Sequence, residues 1–310
     1  MKLRKVMLLL IAFYSLSLIS DKFGLAWWEK LNTRSSDKIF ATQQLIASSA
    51  ILIDRETGNI LFYKNDKEKV YPASTTKILT ALVALDKGDP DEIVTVGNEV
   101  HLRTEGESTA WLWEGQQMPL RDMIAAMMLP SGNDAARTLA VHISRKVSGS
   151  SEMSAEQAIA YFAELMNKKA HLLGANDSHF VNPHGLHDPD HYTTARDLAL
   201  IAKEAMNEPL LLDIVSSSRY EANTSSQAVT YTNRNHLLDP ASPYFFEGAN
   251  GIKTGFTDEA GYCLVSSAQR GDTSLIAVVL HSTTEGVWQD ARNLLTYGFD
   301  ETWQIAMSDH

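Results

Sequence analysis

The stretch Tyr71-Pro-Ala-Ser-Thr-Thr-Lys77 runs without a break into the apolar segment Ile78–Leu85, and together they read as the start of a buried helix. Ser74 and Lys77 stand three residues apart, a spacing that puts two side chains on one helix face. An ammonium sunk in an apolar helix loses hydration, which lowers its pKa and makes a neutral, base-competent amine accessible. A serine at a helix start lies beside unpaired backbone N–H groups and the positive end of the dipole, where a developing oxyanion is favoured. Taken alone, Ser-x-x-Lys more readily describes a serine cap followed by a solvent-facing lysine. The rest of the chain has to decide.

With 310 residues, 44% of them hydrophobic, the chain can bury a large core as one domain or as two intimately packed lobes. Its 27 basic and 38 acidic residues give a net charge of −11, which argues against a general nucleic-acid binder, since such affinity comes from neutralised phosphates. No glycine-rich phosphate loop, Cys-x-x-Cys pair or internal repeat is present. Lys2, Arg4 and Lys5 precede the 14-residue run Val6–Ile19, which is apolar apart from Tyr14, Ser15 and Ser17. That is short for a spanning helix and fits a signal-peptide core. Gly24-Leu25-Ala26 offers small residues for cleavage before Trp27, and an uncleaved anchor is the alternative. Either way the remainder is expected outside the cytoplasm, with membrane contact through the N-terminus only. Cys263, the only cysteine, rules out an intramolecular disulfide and reads as a buried strand residue.

After a polar linker over 27–43, Ala50–Asp54 and Ile60–Tyr63 read as strands of a hairpin around Arg55-Glu-Thr-Gly-Asn59. The helix carrying Ser74 and Lys77 ends near Lys87-Gly-Asp-Pro90, and residues 91–118 mix short strand signals with Trp111 and Trp113. Helices are expected over Leu120–Leu129, Asp134–Val147, Ala155–Leu173, Thr193–Met206 and about Asp290–Tyr297. Tyr262–Ala268 and Leu275–His281 are β-rich runs around the turn Arg270-Gly-Asp272. Strands at both ends with helices between predict an α+β fold. Its antiparallel sheet is assembled from the two chain ends and flanked by helices, with a mostly helical second lobe. A single catalytic domain is expected over 44–305.

Three short motifs stand in order: Ser74-x-x-Lys77, Ser131-Gly-Asn133 and Lys253-Thr-Gly255. Acyl transfer from an amide needs a nucleophile, a base for its proton, an acid for the departing amine and donors for the oxyanion. Ser74 and Lys77 can supply the first two. Ser131, between two helices, can relay the proton to the leaving nitrogen, and Asn133 can hold both Lys77 and a substrate amide. Lys253 adds positive charge, Thr254 a hydroxyl for a carboxylate, and Gly255 close backbone approach to a strand edge. Each motif has a bland reading as a turn, a cap or a solvated strand end. In this order, in an exported chain, coincidence is a poor explanation.

The trio resembles that of the low-molecular-mass penicillin-binding proteins, the serine D-alanyl-D-alanine carboxypeptidases. Further stretches are similar too: Leu129-Pro-Ser-Gly-Asn-Asp-Ala-Ala136, Asn182-Pro-His-Gly-Leu186, His191-Tyr-Thr-Thr-Ala-Arg-Asp-Leu198 and Gly251-Ile-Lys-Thr-Gly-Phe-Thr257. The resemblance covers about residues 45–300. It implies the penicillin-recognising serine transferase fold, acylation of Ser74 by the penultimate D-Ala of a peptidoglycan stem peptide, release of terminal D-Ala, and inhibition by β-lactams. It also implies an oxyanion hole from the N–H groups of Ser74 and Phe256, and a substrate-carboxylate role for Arg196, for which a structural ion pair is the alternative. No metal or cofactor is implied. The C-terminal β-domain and terminal amphipathic helix of many relatives are not read in this sequence, and Val287 stands where some relatives have a basic residue.

Competing readings are weaker. His184, His187 and His191 are broken up by Gly185 and Pro189, so they do not form a helical zinc site. Glu164 reads as the solvated face of a helix, and the second motif is Ser-Gly-Asn, both against a β-lactamase. D,D-endopeptidase or transpeptidase action needs the same residues and stays open. A non-catalytic wall-binding module would not need the nucleophile, base and relay.

Overall fold

The computed structural model describes residues 45–308, with side chains to residue 300. The leader and the 27–43 linker lie outside the described residues. Strands β1 (Ser49–Asp54) and β2 (Ile60–Lys64) form the expected hairpin. Asp54 Oδ1 accepts from both the N–H and the hydroxyl of Thr57 at 2.7 Å, which fixes the turn. A 3-10 turn, Ala73–Thr76, then leads into α1 (Lys77–Lys87), whose first eight residues are all buried. A helix apolar on every side belongs at the centre of a core.

Short strands β3 (Ile93–Thr95) and β4 (Gln117–Pro119) pair ahead of α2 (Leu120–Met128), α3 (Asn133–Ser148) and α4 (Ala155–Leu172). Ser154 and Gln157 close a reciprocal capping box at the start of α4. Helix α5 (Ala195–Ala205) follows, then α6 (Pro209–Ser216) and the hairpin β5 (Arg219–Asn223)–β6 (Ala228–Thr232). The chain returns through β7 (Ala249–Thr257), β8 (Gly261–Arg270) and β9 (Thr273–Ser282) to α7 (Gly286–Ser308).

The five-stranded antiparallel sheet has the order β2-β1-β9-β8-β7, so β1 pairs directly with β9 and the sheet is built from both chain ends. Helix α7 packs on β8 and β9, α5 packs on β9 and β1, and α1 meets α3, α4 and α5. The core of β8 and β9 is buried on both faces, as helices on either side require. Strand β7 is left as a sheet edge, and the Ser74 turn lies against it. Among the described residues no helix is long and apolar enough to cross a membrane.

Helix bounds follow the sequence expectation closely, except that the last helix runs from Gly286 to Ser308 and so exceeds the expected Asp290–Tyr297 at both ends. The sequence reading did not anticipate α6 or the β5–β6 hairpin. Both strands alternate, with Tyr220 and Ala222 and then Val229 and Tyr231 turned inward, but each is five residues long and buries only one of them, so the signal is weak.

Candidate active site

Ser74 lies on a strained turn. Ala73, just before it, takes φ +47°, a left-handed value uncommon outside glycine and typical of functional positions. Thr75 Oγ1 donates to Pro72 O at 2.7 Å and Thr76 Oγ1 donates to Ala73 O at 2.8 Å. His191 braces the second of these. Its Nδ1 accepts the Val181 N–H at 3.0 Å, so Nε2 carries the proton and donates to Thr76 Oγ1 at 2.8 Å. Burial holds the imidazole neutral by lowering its pKa to about 4. Gly185, at φ +87°, passes so close that a Cβ there would stand 1.8 Å from Ala73 O.

Lys77 opens α1 and is fully buried. Its Nζ lies 3.0 Å from Ser74 Oγ, 2.6 Å from Asn133 Oδ1 and 2.7 Å from the His184 carbonyl. Burial pushes its pKa well below the ordinary lysine range. The Lys253 charge pushes the same way and the Glu107 charge opposes it. A neutral amine has two hydrogens and one lone pair. Asn133 Oδ1 and the His184 carbonyl can only accept, so they take the hydrogens and leave the lone pair to the Ser74 hydroxyl.

Asn133 is itself oriented. Its Nδ2 donates to Glu107 Oε2 at 3.3 Å, and Glu107 accepts two hydrogen bonds from Arg137 at 2.7 and 2.6 Å. Both members of this ion pair have almost wholly buried side chains. Desolvation alone would raise the Glu107 pKa, but Arg137 and Asn133 more than offset it and the carboxyl titrates below its usual range. Next along α3, Asp134 accepts from the backbone N–H groups of Ala110 at 2.9 Å and Leu112 at 3.0 Å, tying the rim loop to the helix.

Ser131 stands in the left-handed region at φ +65°, and its buried Oγ has no hydrogen-bond partner. An unpartnered buried hydroxyl is free to take up a substrate proton or amide. On the opposite wall, a Cβ on Gly255 would lie 3.0 Å from Ser74 N and 3.1 Å from Ala73 Cβ. Only glycine lets β7 lie this close to the serine. Ser74, Ser131, Asn133, Thr254, Gly255 and Phe256 line one cleft of about 760 Å³. Lys253 does not reach it. Its ammonium is buried on the Gly255 side of β7 and donates to Thr254 O at 2.9 Å. Burial first, then the Arg234 charge, lowers its pKa to about 7.

Of the two readings of Arg196, its geometry matches the ion pair. Its guanidinium pairs with Asp66 at 2.6 Å and its N–H bonds Asp66 O at 2.9 Å, away from the cleft. It anchors the start of α5, which is the ion-pair alternative. The cation at the cleft wall is Arg234, whose Nη1 donates to Ser108 Oγ at 2.8 Å. Its signal is faint, one arginine between Asn233 and Asn235 in a loop. Glu107 and Arg137 also escaped the sequence reading, because Thr104-Glu-Gly-Glu-Ser108 looks like a solvated rim. The three histidines are occupied separately. His184 gives its carbonyl to Lys77, His187 stacks edge-on against Tyr71 at 4.6 Å, and His191 braces Thr76. Glu164 is exposed on α4 and Cys263 is buried on β8, its thiol pushed up to about 12 by burial.

A serine–lysine pair under a sheet edge, with a Ser-x-Asn loop facing a Lys-Thr-Gly strand, defines the penicillin-recognising serine transferases. Residues 35–284 match the D-alanyl-D-alanine carboxypeptidase family of S11 peptidases, and the chain belongs to that family. It is 37% identical over 242 residues to the D-alanyl-D-alanine carboxypeptidase DacF of Bacillus subtilis, a match covering 77% of this chain and 58% of that protein. DacD of Escherichia coli is 34% identical over 266 residues, 82% of this chain and 63% of the relative. The chain thus spans about three-fifths of the length of these two. Among solved structures, the DD-transpeptidase of Streptomyces K15 superposes with a TM-score of 0.76 at 32% identity, covering 83% of this chain and 98% of the other. A D-alanyl-D-alanine carboxypeptidase of Streptomyces strain K15 is 32% identical over 266 residues, 82% of this chain and 88% of the relative. Penicillin-binding protein D2 of Listeria monocytogenes, in an ampicillin-bound form, gives a TM-score of 0.68 at 28% identity, covering 83% and 98%.

Proposed function

We propose that the protein is an exported serine D-alanyl-D-alanine carboxypeptidase acting on peptidoglycan stem peptides. The observation that carries this reading is the aim of Lys77: two of its neighbours are obligate acceptors, and the third is the hydroxyl it would deprotonate. Ser74 Oγ attacks the carbonyl carbon of the penultimate D-Ala while Lys77 takes its proton. The oxyanion is held by the N–H groups of Ser74 and Phe256. The C–N bond then breaks. Lys77 returns the proton through Ser131 to the leaving nitrogen, terminal D-Ala departs, and an ester remains on Ser74. Water, deprotonated by Lys77, cleaves that ester and restores the serine.

Asn133 positions Lys77 and the substrate amide, Thr254 meets the terminal carboxylate, and Lys253 contributes its field from beneath. Arg234 supplies the exposed cation beside that carboxylate in place of Arg196. A β-lactam would acylate Ser74 in the same way, as the ampicillin-bound Listeria relative suggests. Residues 1–26 act as the export signal or as an N-terminal anchor, so the reaction takes place at the cell wall.

A second reading, transpeptidation, differs only in the acceptor and draws support from the likeness to the solved Streptomyces DD-transpeptidase. The test is D-Ala release from a peptide ending in Lys-D-Ala-D-Ala, comparing the wild type with Ser74→Ala. Release lost in the variant is expected. Release that survives would overturn the mechanism. An absence of release from the wild type, with transfer to an added amine, would favour transpeptidation.

A further inference from the structure

Beside the catalytic cleft lies a second one of about 460 Å³, walled by Trp111 and Trp113 on one side and by the β5–β6 hairpin on the other. Arg234 lines both clefts, so the two are neighbours. Trp111 is 73% exposed and Trp113 44%, large values for the most costly apolar side chain to leave in water. Trp111 is also held at φ +61°, a strained backbone for so bulky a residue. The Arg103 guanidinium lies 5.5 Å from its ring centroid and steadies the indole from one direction. The loop bearing both rings is tied to α3 through Asp134, so the aromatic wall is fixed in place.

The facing wall is polar where a ligand would reach it. Gln227, Val229 and Tyr231 alternate along the hairpin and so share one face. Indole faces opposite the exposed side chains of Gln227, Thr230 and Thr232 suit a ring with one apolar face and hydroxyl and acetamido groups at its edge. A bilayer is a poor match, because the site is concave and the chain carries a net charge of −11, repelled by anionic headgroups.

We propose that the Trp111–Trp113 cleft is a carbohydrate subsite that binds an N-acetylhexosamine ring of the glycan strand bearing the stem peptide. The proposal rests on the peptidoglycan reading of the catalytic cleft and adds the sugar to its substrate. It makes the glycan-linked peptide the preferred substrate over the free peptide.

Two measurements separate the subsite from the activity. The first is indole fluorescence titration with tri-N-acetylchitotriose, for the wild type and the Trp111→Ala/Trp113→Ala variant. Saturable quenching that the variant loses is expected, and a wild type that does not respond overturns the subsite whatever the enzyme's reaction. The second compares kcat/KM for D-Ala release from a disaccharide pentapeptide and from the free pentapeptide. The variant should lose about tenfold on the first through KM and keep the wild-type rate on the second, with unchanged acylation by a fluorescent penicillin reporting an intact fold. An equal loss on both substrates, or vesicle binding that depends on the two tryptophans, overturns the proposal. If neither substrate is turned over, the carboxypeptidase reading fails while the titration still decides the subsite.

Discussion

Lys77 and Lys253 are two amines buried beneath the same cleft, one at the head of a helix and the other on a sheet edge, and they are held differently. Lys77 has three hydrogen-bond partners from three parts of the chain, and a network through Asn133, Glu107 and Arg137 stands behind one of them. Lys253 has the carbonyl of its own neighbour, Thr254. Burial depresses both, Lys253 to about 7, and the charge of Lys253 lowers Lys77 further. Burial makes an amine a base; the surrounding acceptors decide where its lone pair points. On this view Lys77 is aimed and Lys253 sets the field.

The largest test of that contrast is Lys77→Met, which keeps the volume and removes the base. Acylation by penicillin should fall by about 10³–10⁴-fold, and a variant within tenfold of the wild type would break the contrast. Next is the scaffold that only Lys77 possesses. Arg137→Met leaves the Glu107 carboxylate buried without its partner and should cost about 3–5 kcal/mol of stability in urea unfolding. A loss under 1 kcal/mol would mean that the pair is dispensable for the network.

The smallest effect is expected from Lys253→Gln. Removing its charge removes an influence that lowers the Lys77 pKa, so Lys77 becomes neutral only at higher pH. The acid limb of the acylation rate should therefore shift to the alkaline side, by about one pH unit or less. Stability should respond as well. With its folded pKa depressed, Lys253 is protonated first in the unfolded chain as pH falls from about 10.4. It therefore weakens the wild type progressively down to pH about 7 and no further. The variant should lack that slope. An unmoved acid limb would sever the link between the two lysines.

The parts of this site that the sequence made legible are those whose partners are local or whose spacing is itself the message. Ser74 and Lys77 share a helix face, and Lys253-Thr-Gly255 sits on one strand. Arg196 shows the opposite case. Nothing near it distinguishes a substrate ligand from an anchor, because its partner Asp66 is 130 residues away. Glu107 fails in the same way, its glutamate being solvated by every local criterion until Arg137 and Asn133 close over it. The sheet order was legible because apolar runs cluster at both ends of the chain. The β5–β6 hairpin was not, since its alternation spans only five residues in each strand and one buried side chain in each.

The pairing of β1 with β9 sets the time at which this protein can become active. Ala50 lies opposite Val279, so the first strand of the sheet has no neighbour on that side until the last is available. Contacts this distant in sequence form late and slowly. Gly255 and Thr254 belong to the same late block, and without them the Ser74 turn has no opposite wall. A partly synthesised chain already contains the serine and its lysine, but in water that lysine is an ordinary ammonium. Reactivity comes only with closure of the sheet, so the chain is chemically quiet until folding is complete.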